Sequence, residues 1–221
     1  MIRRKLLALI AVFVIPILGS SSAYGHAELS SSNPTNGAVV KVVGKEIILT
    51  FNEVVTVNKG GIQLLNSRGK VIASSSKQVG SVVTLKTPGL VRGRYLVRYR
   101  IISNDGHIII ESFTFSFGLN TPQSKPLSSY LKEGSNNVPF YLSGSRAGQL
   151  GLTLKVEGLS GRVEFKSSTY GAPIVTTLSP NNGSMSGTIL LPSAGAWNVL
   201  VRVRISEFEE RVYTGVLDIK A

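Results

Sequence analysis

Gly93-Arg94-Tyr95-Leu96-Val97-Arg98-Tyr99-Arg100-Ile101-Ile102 keeps a period of two along its length. Tyr95, Val97, Tyr99 and Ile101 fall on one side, and Arg94, Leu96, Arg98 and Arg100 on the other, which is the pattern of a β-strand with a core face and a basic face. The arginine stripe invites a nucleic-acid reading, but no RNA-recognition signature interleaves it, and a solvated strand face is the expectation. Ser103-Asn104-Asp105-Gly106-His107 then turns the chain, and Ser112 to Phe117 reads as a further strand with Phe113, Phe115 and Phe117 on one face. An aspartate and a histidine thus stand at a strand end, two residues apart across a glycine that keeps the bend unobstructed.

Upstream, the chain reads as short strands punctuated by turn residues. Ser30 to Gly37, with Pro34 and Asn36-Gly37, reads as a loop; Glu46 to Phe51, Ile62 to Leu65, Val71 to Ala73 and Val82 to Leu85 read as strands. Downstream, Leu119 to Pro126 is polar and broken by proline, and Leu127 to Asn137 offers a short helical turn over Ser129 to Glu133. Six further runs follow: Leu150 to Val156, Gly161 to Phe165, Ile174 to Leu178, Gly187 to Leu191, Trp197 to Ile205 and Val212 to Ile219. The expectation is an all-β chain with two β-sandwich domains of Greek-key or immunoglobulin-like type, at 26–118 and 138–221, joined by a linker at 119–137. Trp197 shares its face with Val199, Val201, Val203 and Ile205, so it reads as core rather than as a ligand-stacking surface. Glu207, Glu209 and Glu210 read as a solvated turn-like cluster, and the second half holds no histidine and no catalytic constellation.

Composition limits the chemistry. In 221 residues, 43% are hydrophobic and 16% charged, which suits a folded chain and excludes a disordered solvating one. Arg3, Arg4 and Lys5, the apolar run Leu6 to Leu18 and the small residues before Gly25 have the form of a signal peptide over 1–25, with Ala23-Tyr24-Gly25 as the cleavage motif. The apolar run is shorter than a membrane-crossing helix needs, and Pro16 interrupts it. Cleavage makes His26 the first residue and places the protein outside the cytoplasm, in the periplasm or at the cell surface. The chain has no cysteine, so disulfides and thiolate ligands are excluded and any metal must sit on nitrogen and oxygen. The net charge of +12, reduced when the three signal-peptide cations leave, favours anionic polymers or headgroups in general and names no partner.

The chain has two histidines, His26 and His107. Alone, a histidine after a signal peptide is the first ordered residue and an Asp-Gly pair is a turn; together they argue for a metal site. A resemblance strengthens that reading. His26-Ala27-Glu28-Leu29 followed by Ser32-Asn33-Pro34, then Ile48-Leu49-Thr50-Phe51-Asn52-Glu53, Gly93-Arg94-Tyr95, Val97, Tyr99-Arg100, Ser103, Asp105-Gly106-His107 and Phe113-Thr114-Phe115 resembles, in order and spacing, the CopC family of exported copper-binding proteins. The resemblance spans His26 to about Gly118. It implies a Greek-key sandwich and a Cu(II) site in which His26 gives its α-amine and Nδ1, His107 a second ring nitrogen, and Asp105 an axial or near-axial carboxylate. An N-terminal histidine can close a chelate ring, and three nitrogens suit Cu(II). Glu53 matches a family carboxylate, with Asn52 replacing a serine, and is a candidate further or outer ligand; read alone, it is a solvated or paired strand-end glutamate. Ala194-Gly195-Ala196-Trp197 resembles a stretch seen in exported β-sandwich modules, some of which accompany CopC domains.

The chain also departs from the family. Ile108-Ile109-Ile110-Glu111 stands where Pro and a nearby Gly are usual, and Met185 is the lone methionine after the signal, so a thioether Cu(I) site is not expected. The expected function is non-catalytic copper storage, buffering or delivery, with a membrane copper transporter or another exported copper protein as partner. No nucleic-acid partner is expected, and membrane association only through an uncleaved signal or the basic surface. Two alternatives stay open: a copper oxygenase acting on polysaccharide through an N-terminal histidine, and a metal-free exported structural or adhesive β protein.

Overall fold

The structure, a computed structural model, describes residues 27–73 and 75–221. The signal peptide read over 1–25 and the histidine at 26 lie outside the described residues. Every regular element described is a β-strand, and among the described residues there is no helix. The first half carries β1 (Leu29–Asn33), β2 (Val39–Val40), β3 (Glu46–Phe51), β4 (Ile62–Asn66), β5 (Val71–Ala73), β6 (Ser76–Val79), β7 (Val82–Lys86), β8 (Gly93–Ile102) and β9 (Ile108–Phe117). The second carries β10 (Leu127–Glu133), β11 (Asn136–Leu142), β12 (Gly148–Leu154), β13 (Ser160–Lys166), β14 (Ile174–Pro180), β15 (Met185–Leu191), β16 (Gly195–Arg204) and β17 (Glu210–Ile219).

Strands β1-β3-β7-β6 form one antiparallel sheet, and β5-β4-β8-β9 a second run, with β2 added in parallel beside β9. The inward faces of both contribute to a single apolar cluster: Ile47, Leu49 and Val83 from the first, Tyr95, Val97, Tyr99, Ile101, Phe113 and Phe115 from the second. The period-two reading of β8 therefore places its core face correctly. Its other face is not solvated as expected: Leu96 is fully buried, Arg94 and Arg98 are half-buried, and of the stripe only Arg100 is exposed. The second half is the cause, because it covers this face. Leu65 and Leu96 belong to its apolar cluster, not to that of the first half.

Strands β10 to β17 pair in a closed circuit, β13-β16-β17-β10-β11-β12-β15-β14 and back to β13, antiparallel throughout. The closure is uneven, with one partner pair, Lys132↔Thr214, joining β10 to β17, against ten joining β16 to β17. Within the circuit lie Trp197, stacked on Tyr170 at 5.8 Å, and the buried Leu131, Phe140, Phe165 and Tyr213. Several segments differ from the sequence expectation: β2 and β6 are strands beyond those expected, and β9 begins at Ile108, four residues before the expected Ser112. Ser30 to Asn33, expected as loop, pairs with β3; Ser129 to Glu133, expected as a helical turn, lies in β10; and residues 136–142 form β11. Asn33, Ser128 and Ser129 are residues of low strand propensity, and pairing with a neighbouring strand overrides it.

β9 joins the halves. It is buried on both sides, Phe113 and Phe115 toward the first cluster, and Ser112, Thr114 and Ser116 at 2%, 0% and 1% exposure on the other. These hydroxyls are satisfied by backbone carbonyls: Ser112 donates to Pro173 (2.8 Å), Thr114 to Leu190 (2.7 Å) and Ser116 to Leu119 (2.6 Å). Ile174↔Ser112 is a parallel ladder contact between β14 and β9. Beside it, Tyr99 donates its hydroxyl to Glu111 at 2.7 Å, and Glu111 also pairs with Arg162 of β13. Burial and then the Glu111 carboxylate push the Tyr99 hydroxyl well above its ordinary pKa, so it remains a donor.

Candidate metal centre

The turn between β8 and β9 is built by its own backbone. Ser103 N donates to His107 O at 3.0 Å, and Gly106 N to Ser103 O at 2.9 Å. Gly106 has φ 86° with open space where a Cβ would stand, so conformation rather than lack of room asks for glycine. Ser103 is buried at 4% exposure beneath the turn, and its hydroxyl donates to Asp105 Oδ1. His107 N donates to the same oxygen at 3.3 Å, and Asp105 Oδ2 lies 3.0 Å from His107 Nδ1. Asp105 and His107 are thereby held side by side, with 32% and 61% of their side-chain surfaces exposed.

These contacts set the charge of the carboxylate. The Ser103 hydroxyl first, then the His107 imidazole and backbone N–H, hold the Asp105 carboxyl at about 2, below its ordinary 3.8, while partial burial opposes them. An imidazole whose Nδ1–H is donated to a carboxylate keeps its ring lone pair on Nε2, which is the form that ligates a metal.

Glu53 reaches the same turn by another route. Its Oε1 accepts from Asn104 N at 3.0 Å, tying the segment after β3 to the tip of the β8–β9 hairpin. The bridge Thr56↔Ile102 fixes the same segment along the end of β8. The start of the described chain is drawn to this end as well. Asn52 N donates to Glu28 O at 3.0 Å, Glu28 N donates back to Asn52 Oδ1 at 2.8 Å, and Ala27, 3% exposed, packs into the first cluster. The reading of the chain gave Asn52 no role of its own; an asparagine beside a strand end, able to satisfy both backbone groups of a neighbouring segment, was the available signal.

Of the expected site residues, the structure brings Asp105 and His107 together and places Glu53 on the backbone of the same turn. His26 lies outside the described residues. Among the described residues no three histidine, aspartate or glutamate side chains gather in a group able to hold a metal ion. Met185, the only thioether there, is fully buried in the second cluster, so the donors offered at this end of the molecule are nitrogen and oxygen.

The strand order and this turn are those of a first half that can be placed by comparison: residues 29–118 match the family described as CopC domain, and this part of the chain is a CopC domain. The chain is similar to the copper resistance protein C of Xanthomonas campestris pv. juglandis, 29% identical over 120 residues that cover 50% of this chain and 94% of that protein. Among solved structures it is similar to CopC from Methylosinus trichosporium OB3b, at 29% identity over 42% of this chain and 93% of that one, with a TM-score of 0.40. A two-domain fibronectin type III segment of chicken tenascin aligns over 87% of this chain and 97% of that one, at 16% identity and a TM-score of 0.26.

Proposed function

We propose that the protein is an exported, non-catalytic Cu(II)-binding protein that stores, buffers or delivers copper, and that residues 26–118 form a β-sandwich which carries the site. In this reading signal-peptide cleavage after Gly25 frees the amine of His26. His26 contributes that amine and Nδ1, His107 its Nε2, and Asp105 a carboxylate oxygen; Glu53 steadies the turn through Asn104 or adds a further oxygen. The second unit, 138–221 together with β10 and the start of β11, which complete its strand circuit, is a second module that braces the first. A membrane copper transporter or another exported copper protein is the expected exchange partner.

The observation that carries the reading is the Ser103–Asp105–His107 arrangement, in which an imidazole and an ionised carboxylate are fixed together at an exposed turn. The pairing of Glu28 with Asn52 supports it, because it anchors the described N-terminal end close in the chain to Glu53, which holds that turn. The similarity to copper resistance protein C supports copper as the metal. The test is a Cu(II) titration of the cleaved protein followed by electron paramagnetic resonance. One equivalent with nitrogen hyperfine structure is expected, and His107→Ala should remove one nitrogen and weaken binding. An unchanged spectrum in His107→Ala would remove this residue from the site.

A further inference from the structure

A pocket of about 340 Å³, lined by Arg98 and Arg100 of β8, is not used by the copper reading. Its floor is Gly61. The partner position of Gly61 on β8 is Arg100, whose N–H donates to Gly61 O at 2.7 Å. A Cβ on Gly61 would stand 2.8 Å from Arg100 O and 2.9 Å from Asn58 O, so the close approach of backbone there requires glycine. Gly171, from the second half, walls the pocket; its φ is 67° and a Cβ there would lie 2.8 Å from Arg98 Nη1.

Three cations line this space: Lys59, Arg98 and Arg100. No carboxylate lines it. Elsewhere three arginines are met by acids, Arg162 by Glu111 and Glu164, Arg202 by Glu210, and Arg211 by Glu133 and Glu209. Among the described residues no ion pair joins Lys59, Arg98 or Arg100 to an acid. Arg98 is already oriented, donating through Nη1 to Tyr170 O at 2.9 Å and through Nη2 to Gln63. Arg100 and Lys59 are exposed at the mouth. Like charges converging on a concave surface, one of them fixed in place, raise the local concentration of an anion and cost little further ordering when it binds.

We propose that this pocket binds a phosphate-type oxyanion, free or carried on a lipid headgroup, between Arg98, Arg100 and Lys59. The site is independent of copper and is tested on the metal-free protein. Inorganic phosphate is titrated at constant ionic strength while amide and arginine side-chain NMR signals are followed. Saturable one-site shifts centred on residues 59–63, 98–100 and 171 are expected. The double variant Lys59→Gln/Arg100→Gln should weaken binding by at least about tenfold with an unchanged melting temperature, since both side chains are exposed. Lys166→Gln, an exposed cation outside the pocket, should leave binding unchanged. A parallel arm uses vesicles of phosphatidylglycerol, with phosphatidylcholine as control. Phosphatidylglycerol binding that phosphate displaces and the double variant loses assigns the headgroup as source; phosphate binding without it assigns the free oxyanion. Shifts that do not saturate, an equal loss in Lys166→Gln, or no binding in either arm would overturn the proposal.

Discussion

At Asp105 the local chemistry makes a direct prediction about pH. Its carboxyl is held at about 2 in the folded protein against an ordinary 3.8, so the unfolded chain binds the proton first as pH falls. The stabilising contribution is therefore complete above about pH 4 and is lost as pH drops through about 2. NMR titration of the Asp105 side-chain carbonyl in the metal-free protein should show a midpoint near 2, and Ser103→Ala, which removes the hydrogen bond that lowers it most, should move it upward. A midpoint near 3.8 in the native chain would mean that the turn does not hold the carboxylate as described. Asp105 and His107 were legible in the sequence because His107 is one of two histidines and both residues stand at the end of a strongly periodic strand. The anchoring residues were not. Asn52 acts on the backbone of a segment distant in sequence and Ser103 on the side chain and backbone of its own turn, and a single polar residue carries no periodic signal of either contact.

For the hairpin of β8 and β9 the decisive property is that its body, Tyr95 to Val97 and Ser112 to Ser116, is buried on both faces. Leu96 packs into the second half's cluster at 0% exposure, so Leu96→Ala should destabilise the protein by about 2–5 kcal/mol in urea unfolding, the range for a truncated core leucine. A solvated strand face would give almost nothing. Alternation made β8 readable to the residue, and β3, β4 and the six later strands nearly so. β1, β10 and β11 were not readable, because Leu29–Asn33 is a serine-rich segment and Leu127–Leu142 mixes polar residues with Pro139. What makes these segments strands is the neighbour each one meets. The buried hydroxyls of β9 follow the same logic: an alternating Ser-Phe-Thr-Phe-Ser pattern looks half-solvated until a second layer supplies the carbonyls of Pro173 and Leu190, and the strand's own exit that of Leu119.

Across the whole molecule, the two clusters meet at β9, and contacts such as Glu111–Arg162 and Tyr170 O–H to Ser67 O at 2.9 Å tie them. Trp197 is the only tryptophan and lies fully buried against Tyr170, so its fluorescence reports the second cluster. Trp197→Ala should cost about 3–5 kcal/mol. In the native protein, Trp197 fluorescence and the far-ultraviolet signal of the whole chain should change together in urea, because the halves share buried contacts; well-separated transitions would show that the halves unfold independently. Residues 29–118 match the CopC domain and carry the turn at Asp105 and His107, and the copper site proposed there depends on one proteolytic event at the N-terminus. The most direct test compares Cu(II) titrations of the chain beginning at His26 with the same chain carrying one extra residue before it. The account predicts one tightly bound Cu(II) in the first and a large loss of affinity in the second; equal stoichiometry and affinity in both would contradict it.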